Sequence, residues 1–400
     1  MRFSENKLQI YDWIIIFCLL FSGLASMLSD EINSLALYVA IPLAFFLSFN
    51  KARTFRLNKY SNCLLLLFVW IAISYIWAQY KDLAYAELHR VLGAFMSCYI
   101  MAVNAKERRM LPWLYLTYIA LYIGAWYYAS SHLTINVSMM DSDADRLNDA
   151  KLNANTMAYY TFYVTFIFFI FGEIIKKKAI KRLSDIMFIA MIPISFFVAL
   201  TTASRQVLII QIPLISLLLY LRYVKQQKAS RKVFFVICAL IVGAFTLTKA
   251  ISLFENSYLA VRASGDLQDD SRIILMEDSF KVAIEHFPFG VGAGNYIAYS
   301  YSKHFSHVSY LELFANQGVI GLIVYVSLLF MFIKRLYKRY KITKDKMLYL
   351  FLIFGIIFIF DNIFYVFYTD IWLISFFILV ATHSETYYVE HYGISKNNKW

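Results

Sequence analysis

Apolar runs about as long as a membrane-crossing helix follow one another along the chain, and short basic clusters fall in every second gap between them. The clusters begin with Arg2 and Lys7, then Lys51, Arg53, Arg56 and Lys59, then Lys106, Arg108 and Arg109. Further on come Lys176, Lys177, Lys178, Lys181 and Arg182, then Arg222, Lys225, Lys228, Arg231 and Lys232, and last a group running from Lys334 to Lys346. The intervening gaps are poor in cations: Asp30 and Glu31 after the first run, Lys81 alone between the third and fourth. Basic loops stay on the cytoplasmic side, so the alternation puts both termini in the cytoplasm. At roughly 20 residues per span, the runs amount to about twelve helices. They centre near 10–29, 33–50, 61–79, 87–104, 110–130, 155–175, 184–202, 205–223, 232–250, 309–333, 347–367 and 370–383. The last is short and the turn at Arg205 is tight, so eleven spans is the alternative. An all-α polytopic membrane protein is expected.

Composition agrees. Hydrophobic residues make up 60% of the chain and charged ones 16%, where soluble chains carry about a quarter charged. The formal charge of +12 lies in loops between apolar runs. That is the pattern of membrane orientation rather than of a nucleic-acid surface, and no nucleic-acid partner is expected. Cys18, Cys63, Cys98 and Cys238 sit far apart inside apolar runs, without the paired spacing of a zinc site or disulfide framework. They read as small buried hydrophobes. No small-residue cleavage site follows the first apolar run, so Tyr11–Leu28 reads as a retained span.

Two gaps on the far side of the membrane are long, Ser131–Ala154 and roughly 251–306. The chain then divides into 1–250, with nine spans and a minor loop near 131–154; 251–308, a large extracytoplasmic loop; and 309–400, with three spans and a cytoplasmic tail. The large loop holds seven acidic residues and four Lys or Arg. Within it, Ile274, Leu275, Phe280, Val282, Ala283 and Ile284 suggest an amphipathic helix over 271–286, lying at the membrane surface. Asp270 or Ser271 would cap its start, and Pro288 follows its end.

Chemistry-bearing residues gather around this loop. Arg205, in the sequence TTASRQ, is either an anchor in the headgroups or a clamp for phosphate oxygens, which a guanidinium grips bidentately. Arg262 and Arg272, with Arg205 and Arg146, are placed to converge on one anionic group; Asp266, Asp269 and Asp270 offer ordinary salt bridges instead. His307 lies where the loop re-enters the membrane, and an imidazole can take a proton from an attacking hydroxyl near neutral pH. Its plainer reading is a capping or interfacial residue. His286 and His304 read as surface residues. Phe289–Gly294 (FGVGAG) lacks the strand, helix and lysine of a nucleotide site and reads as a tight turn. Gly318 and Gly321 read as helix-packing glycines. Asp361–Asn362 and Glu87–His89–Arg90 are polar groups at membrane depth, read as lining one outer cavity.

Taken in order, these stretches resemble the O-antigen ligase/polymerase superfamily of integral-membrane glycosyltransferases. TASRQVLII is similar to the family's small-Ser-Arg opening of a span. SRIILMEDSFKVAIEHFPFGVGAGNY resembles its arginine, amphipathic helix and Pro-x-Gly-x-Gly motif. His307–Val308, nine residues, then Gly318–Val319–Ile320–Gly321 matches its histidine-to-glycine spacing, and RLNDAKLNANTMA its Arg…Asn-x-Asn segment. The likeness covers Arg146 to Gly321 by motif and the whole chain by topology.

The resemblance implies a GT-C-type fold in the bacterial inner membrane and glycosyl transfer on its periplasmic side. It also implies a donor glycan on undecaprenyl diphosphate, with a lipid-linked glycan or lipid A-core as acceptor. Membrane lipids, and optionally a chain-length regulator, complete the partners. His307 and Arg272 would be catalytic, His307 as general base. Arg205, Arg272, Arg262 and Arg146 would hold the diphosphate, with no cofactor and no metal. Ligases usually carry Asn, Ser or Gln after the histidine, where this chain has Val308. That departure favours a polymerase of undecaprenyl-diphosphate-linked repeat units, with the ligase as alternative. A non-enzymatic flippase is a further one; it would have short loops and ionisable groups near the midplane.

Overall fold

The computed structural model describes residues 8–55, 58–132, 154–175, 177–202, 212–225, 228 and 271–393, without the side chains of 131, 132, 154, 155, 196, 199–202, 212, 271 and 272. All regular secondary structure among them is helical. In chain order the α-helices are α1 (Ile10–Ala25), α2 (Asp30–Leu35), α3 (Ile41–Ala52), α4 (Lys59–Ser74), α5 (Lys81–Asn104), α6 (Leu111–His132) and α7 (Ala154–Ile174). They continue as α8 (Lys178–Thr202), α9 (Ile212–Leu219), α10 (Ser271–Glu285), α11 (Tyr296–Tyr299), α12 (Ser309–Thr343), α13 (Lys346–Asp361) and α14 (Ile371–Tyr392).

Helix ends follow local chemistry. Asn58 accepts the Ser61 N–H to open α4, Asp345 accepts Met347 and Leu348 to open α13, and Asp370 accepts Trp372 and Leu373 to open α14. Each satisfies N–H groups that a helix start leaves without an intrahelical acceptor. A π-turn at Ala36–Ala40 leads into α3 just before Pro42, where the ring removes a helical N–H and crowds the preceding turn.

Three helices among the described residues are long and apolar enough to cross a bilayer: Asp30–Ala52, Thr156–Ile174 and Ser309–Thr343. Ile10–Ala25, Lys59–Ser74 and Pro213–Val224 are shorter apolar helices. The run near 232–250 expected to be a span lies outside the described residues. Phe17, Phe46, Leu66 and Phe330 point large apolar side chains outward, as a surface solvated by lipid tails requires. This is a helical membrane protein.

Two compact units divide the chain. One comprises Met1–Ser22, Ser34–Leu114 and Leu267–Trp400. In it α12 packs on α4, α10 and α13, while α5 packs on α3, α4 and α14. Its basic residues are tied by acids from other helices: Glu385 takes Arg335 at 3.0 Å and Arg339 at 2.7 Å, and accepts the Tyr60 hydroxyl at 2.9 Å. Lys51 bridges Asp12 and Glu107. The other unit comprises Gly23–Asn33 and Tyr115–Asp266. There α7 and α8 lie side by side, joined by the Ser184 hydroxyl donating to Phe168 O and by the Phe169–Phe188 ring pair.

Candidate active site

Gly318 breaks α12. Its φ of 64° and ψ of −165° belong to a region open in practice to glycine alone, and a Cβ there would strike the Pro288 carbonyl oxygen. An unbroken helix would bond the Val319 N–H to Ala315 and that of residue 320 to Asn316. Instead the Val319 N–H donates to Pro288 O at 3.0 Å. The freed carbonyls of Ala315 and Asn316 accept the N–H groups of Val291 and Gly292, each at 2.9 Å. Gln317 O accepts the Trp70 indole N–H at 2.9 Å. The glycine run therefore serves as an external cap for a helix break. Gly290 must be glycine for this, since a Cβ would meet Ala315 O at 2.6 Å. Gly318 is a hinge point of the backbone rather than a packing glycine. Val319–Thr343 alone, roughly 37 Å at 1.5 Å per residue, still exceeds a bilayer core.

The helix expected over 271–286 runs from Ser271 to Glu285 and has two apolar faces. Leu275, Val282 and Ala283 are buried, whereas Ile273, Phe280 and Ile284 are exposed on the opposite side. Val282, Ala283, Val291, Tyr296 and Ala315 form a small core that joins α10, the glycine run and the first half of α12. The Tyr296 N–H donates to Asn316 Oδ1 at 2.8 Å. Burial, the leading influence, pushes its phenol up to about 12, so Tyr296 is a neutral structural residue. Asn295 clasps Tyr80, accepting its N–H at 2.7 Å and donating to its carbonyl at 3.1 Å.

Beyond α11 the chain is held by Asp278 on α10. Its carboxylate accepts the Ser300 hydroxyl at 2.8 Å, the Tyr301 N–H at 3.2 Å, and the Ser302 N–H and hydroxyl at 3.3 Å each. Burial pushes the Asp278 carboxyl up, but these donors outweigh it and hold it below the ordinary carboxylate range.

His307 is half-buried, with a positive φ of 56°. Ser309, two residues on, begins α12 and is fastened from three sides. Its N–H donates to Asn362 O at 2.9 Å, its hydroxyl donates to Tyr365 O at 2.7 Å and accepts the Phe367 N–H at 2.9 Å. Asn362 is fully buried and also accepts the Tyr325 hydroxyl at 2.6 Å. It is a structural anchor, where the sequence suggested a cavity-lining group.

From α5, Glu87 and Arg90 reach the same neighbourhood. The Arg90 guanidinium stands 6.0 Å from the centre of the Phe305 ring and 3.5 Å from Glu87 Oε2, with half its side chain exposed. Glu87 is buried. His304 is exposed as expected, whereas His286 bonds Val282 O through Nδ1 at 3.0 Å and stacks edge-on with Tyr299.

Of the sequence-derived site residues, His307 is fully described. Arg272 is the second residue of α10, with its side chain outside the described set. Arg146, Arg205 and Arg262 lie outside the described residues.

Residues 186–326 match the family model described as O-antigen ligase. The chain carries an O-antigen ligase domain. No curated protein matches the chain. The likeness to O-antigen ligase covers about a third of the chain. The ligase domain contains α10, the glycine run, His307 and the break at Gly318, together with Arg205 and Arg262. Arg146 precedes it. Trp70, Glu87 and Arg90 come from outside the matched stretch and meet it from α4 and α5.

Proposed function

We propose that the protein is an O-antigen, or similar surface-polysaccharide, polymerase joining undecaprenyl-diphosphate-linked repeat units at the periplasmic face of the inner membrane. One observation carries the reading. Within the O-antigen ligase domain, His307 sits on a loop fastened to α10, the helix that Arg272 opens, and to the broken start of α12. In the proposed reaction an acceptor hydroxyl attacks the anomeric carbon of the donor sugar and loses its proton to His307. The bond from that carbon to the diphosphate breaks, and its electron pair leaves with the phosphate oxygen. Arg272, with Arg205, Arg262 and Arg146, stabilises the charge developing there, and Arg90 lines the same cavity. No metal takes part in this scheme, and the leaving diphosphate supplies the driving force.

About twelve spans complete the proposal, with both termini cytoplasmic. Residues 1–250 form the first nine, 251–308 the periplasmic loop, and 309–400 the last three and the tail. Exposed Ile273, Phe280 and Ile284 on α10 suit a helix resting on the membrane surface. Val308 after the histidine favours polymerase over ligase. A second reading, transfer of the finished glycan to lipid A-core, is favoured by the description of the matching family model.

The lipopolysaccharide banding pattern of a deletion strain tests this, complemented with wild type, His307→Ala or Arg272→Ala. Core bearing a single repeat unit means polymerase. Bare core with polymer accumulating on undecaprenyl diphosphate means ligase. A normal ladder from both variants at wild-type expression would remove the catalytic assignment.

A further inference from the structure

The two neighbours of His307 are tied to a single carboxyl group. The Ser306 N–H donates to Glu312 Oε2 at 3.0 Å and the Ser306 hydroxyl approaches the same oxygen at 3.1 Å. The Val308 N–H then donates to Ser306 Oγ at 3.2 Å. His307, between them, has the positive φ that residues with a side chain rarely adopt. Such a conformation persists only where its surroundings over-determine it, and functional sites are where it collects.

Helix capping does not account for this arrangement. Val308 occupies the N-cap of α12 and makes no side-chain cap bond. A capping box would send an acid at the third helical position back to the N-cap N–H. Glu312 is the fourth residue of α12 and reaches past the N-cap to Ser306. It is 4% exposed, at a depth where an ionisable side chain is costly and rarely present without a function. The chain thus buries a carboxyl group whose described bonds both serve the residue preceding His307.

We propose that Glu312 is a positioning residue for His307, holding through Ser306 the left-handed turn from which the imidazole projects. This rests on His307 being the base of the transfer reaction proposed above. What the turn requires of residue 312 is an acceptor oxygen. Glu312→Gln keeps a carbonyl oxygen at that place, whereas Glu312→Leu keeps the bulk and removes it.

The test uses the full-length protein in lipid nanodiscs, with a synthetic undecaprenyl-diphosphate-linked repeat unit as substrate. Glu312→Leu is expected to lose kcat on the order of 10²-fold, the loss that a misplacement of about 1 Å produces, with KM nearly unchanged. Glu312→Gln should stay within a few-fold of wild type. Ser306→Ala combined with Glu312→Leu should be no worse than Glu312→Leu alone, because both act through one linkage. Amide hydrogen exchange supplies a readout independent of turnover: Glu312→Leu should speed exchange at Ser306 and Val308, and Glu312→Gln should not. Wild-type exchange and kcat in Glu312→Leu would overturn the inference. So would an equal loss in Glu312→Gln and Glu312→Leu. Full activity in His307→Ala, with faster exchange still seen in Glu312→Leu, would remove the catalytic reading and leave the turn's dependence on Glu312 standing.

Discussion

Val319 donates its backbone N–H to the carbonyl of Pro288 at 3.0 Å. Its usual acceptor, Ala315, is taken by Val291. A loop and a helix have exchanged hydrogen-bond partners across Gly318, so the loop is as much a part of α12 as the helix's own backbone.

Gly318→Ala is therefore expected to be severe. The added Cβ strikes Pro288 O and Phe289 while the backbone is in a glycine-only region, a combined loss of about 3 kcal/mol or more. Gly393→Ala separates conformation from collision: φ is 53° there but nothing lies within 4 Å, so the loss should be roughly 1 kcal/mol. Thermal unfolding in detergent, followed by aggregation, compares the two. Equal midpoints would refute the collision.

His307→Asn and His307→Gly both tolerate a positive φ. Each should fold like wild type and lose transfer activity by about 10²-fold or more, the range of general-base contributions. Turnover of a lipid-linked repeat unit measures this. Near-wild-type turnover in His307→Asn would exclude the imidazole as base.

Asp278 predicts an acid-sensitive arm. Its folded carboxyl lies below the unfolded value, so the stabilisation is present above about 3.9 and is lost as pH falls through the folded value. Exchange at the Tyr301 and Ser302 amides should rise in that acid window in wild type. Asp278→Ala should show the raised exchange at neutral pH, with little further change in acid. A flat wild-type profile would contradict the assignment.

Arg90→Gln probes the proposed cavity. If the half-exposed guanidinium meets the donor's diphosphate, the loss of a charge-assisted bond should raise KM by about tenfold or more. Arg90→Lys, which keeps the charge but not the fork, should fall between. An unchanged KM in Arg90→Gln would assign Arg90 to its contact with Glu87 alone.

The helical architecture was legible because hydropathy acts over whole segments. The apolar runs marked the helices, and the polar excursion marked α10 and the loop carrying His307. Local exchanges of hydrogen bonds were not legible. Gly318 inside an apolar run reads the same whether it lets two helices approach or breaks one. Gly290 and Gly292 read as a turn, since nothing in their order announces that they dock on Ala315 and Asn316. Val308 is a poor N-cap, which was the available hint that the start of α12 is secured elsewhere. The partner, Ser306 through Glu312, sits at a spacing that no capping pattern describes. Asn362 looked like a cavity group because polarity at membrane depth is visible in sequence, whereas the fastening of Ser309 is not.

The partner exchange at Gly318 also sets a rule for recombining relatives. Residues 288–292 and 315–319 supply each other's backbone partners, so neither stretch can be transplanted without the other. A single inserted residue between them would shift His307 relative to both. Chimeras that trade only the exposed loop should arrive misfolded, whereas those that trade 271–321 as one cassette carry their own joinery with them.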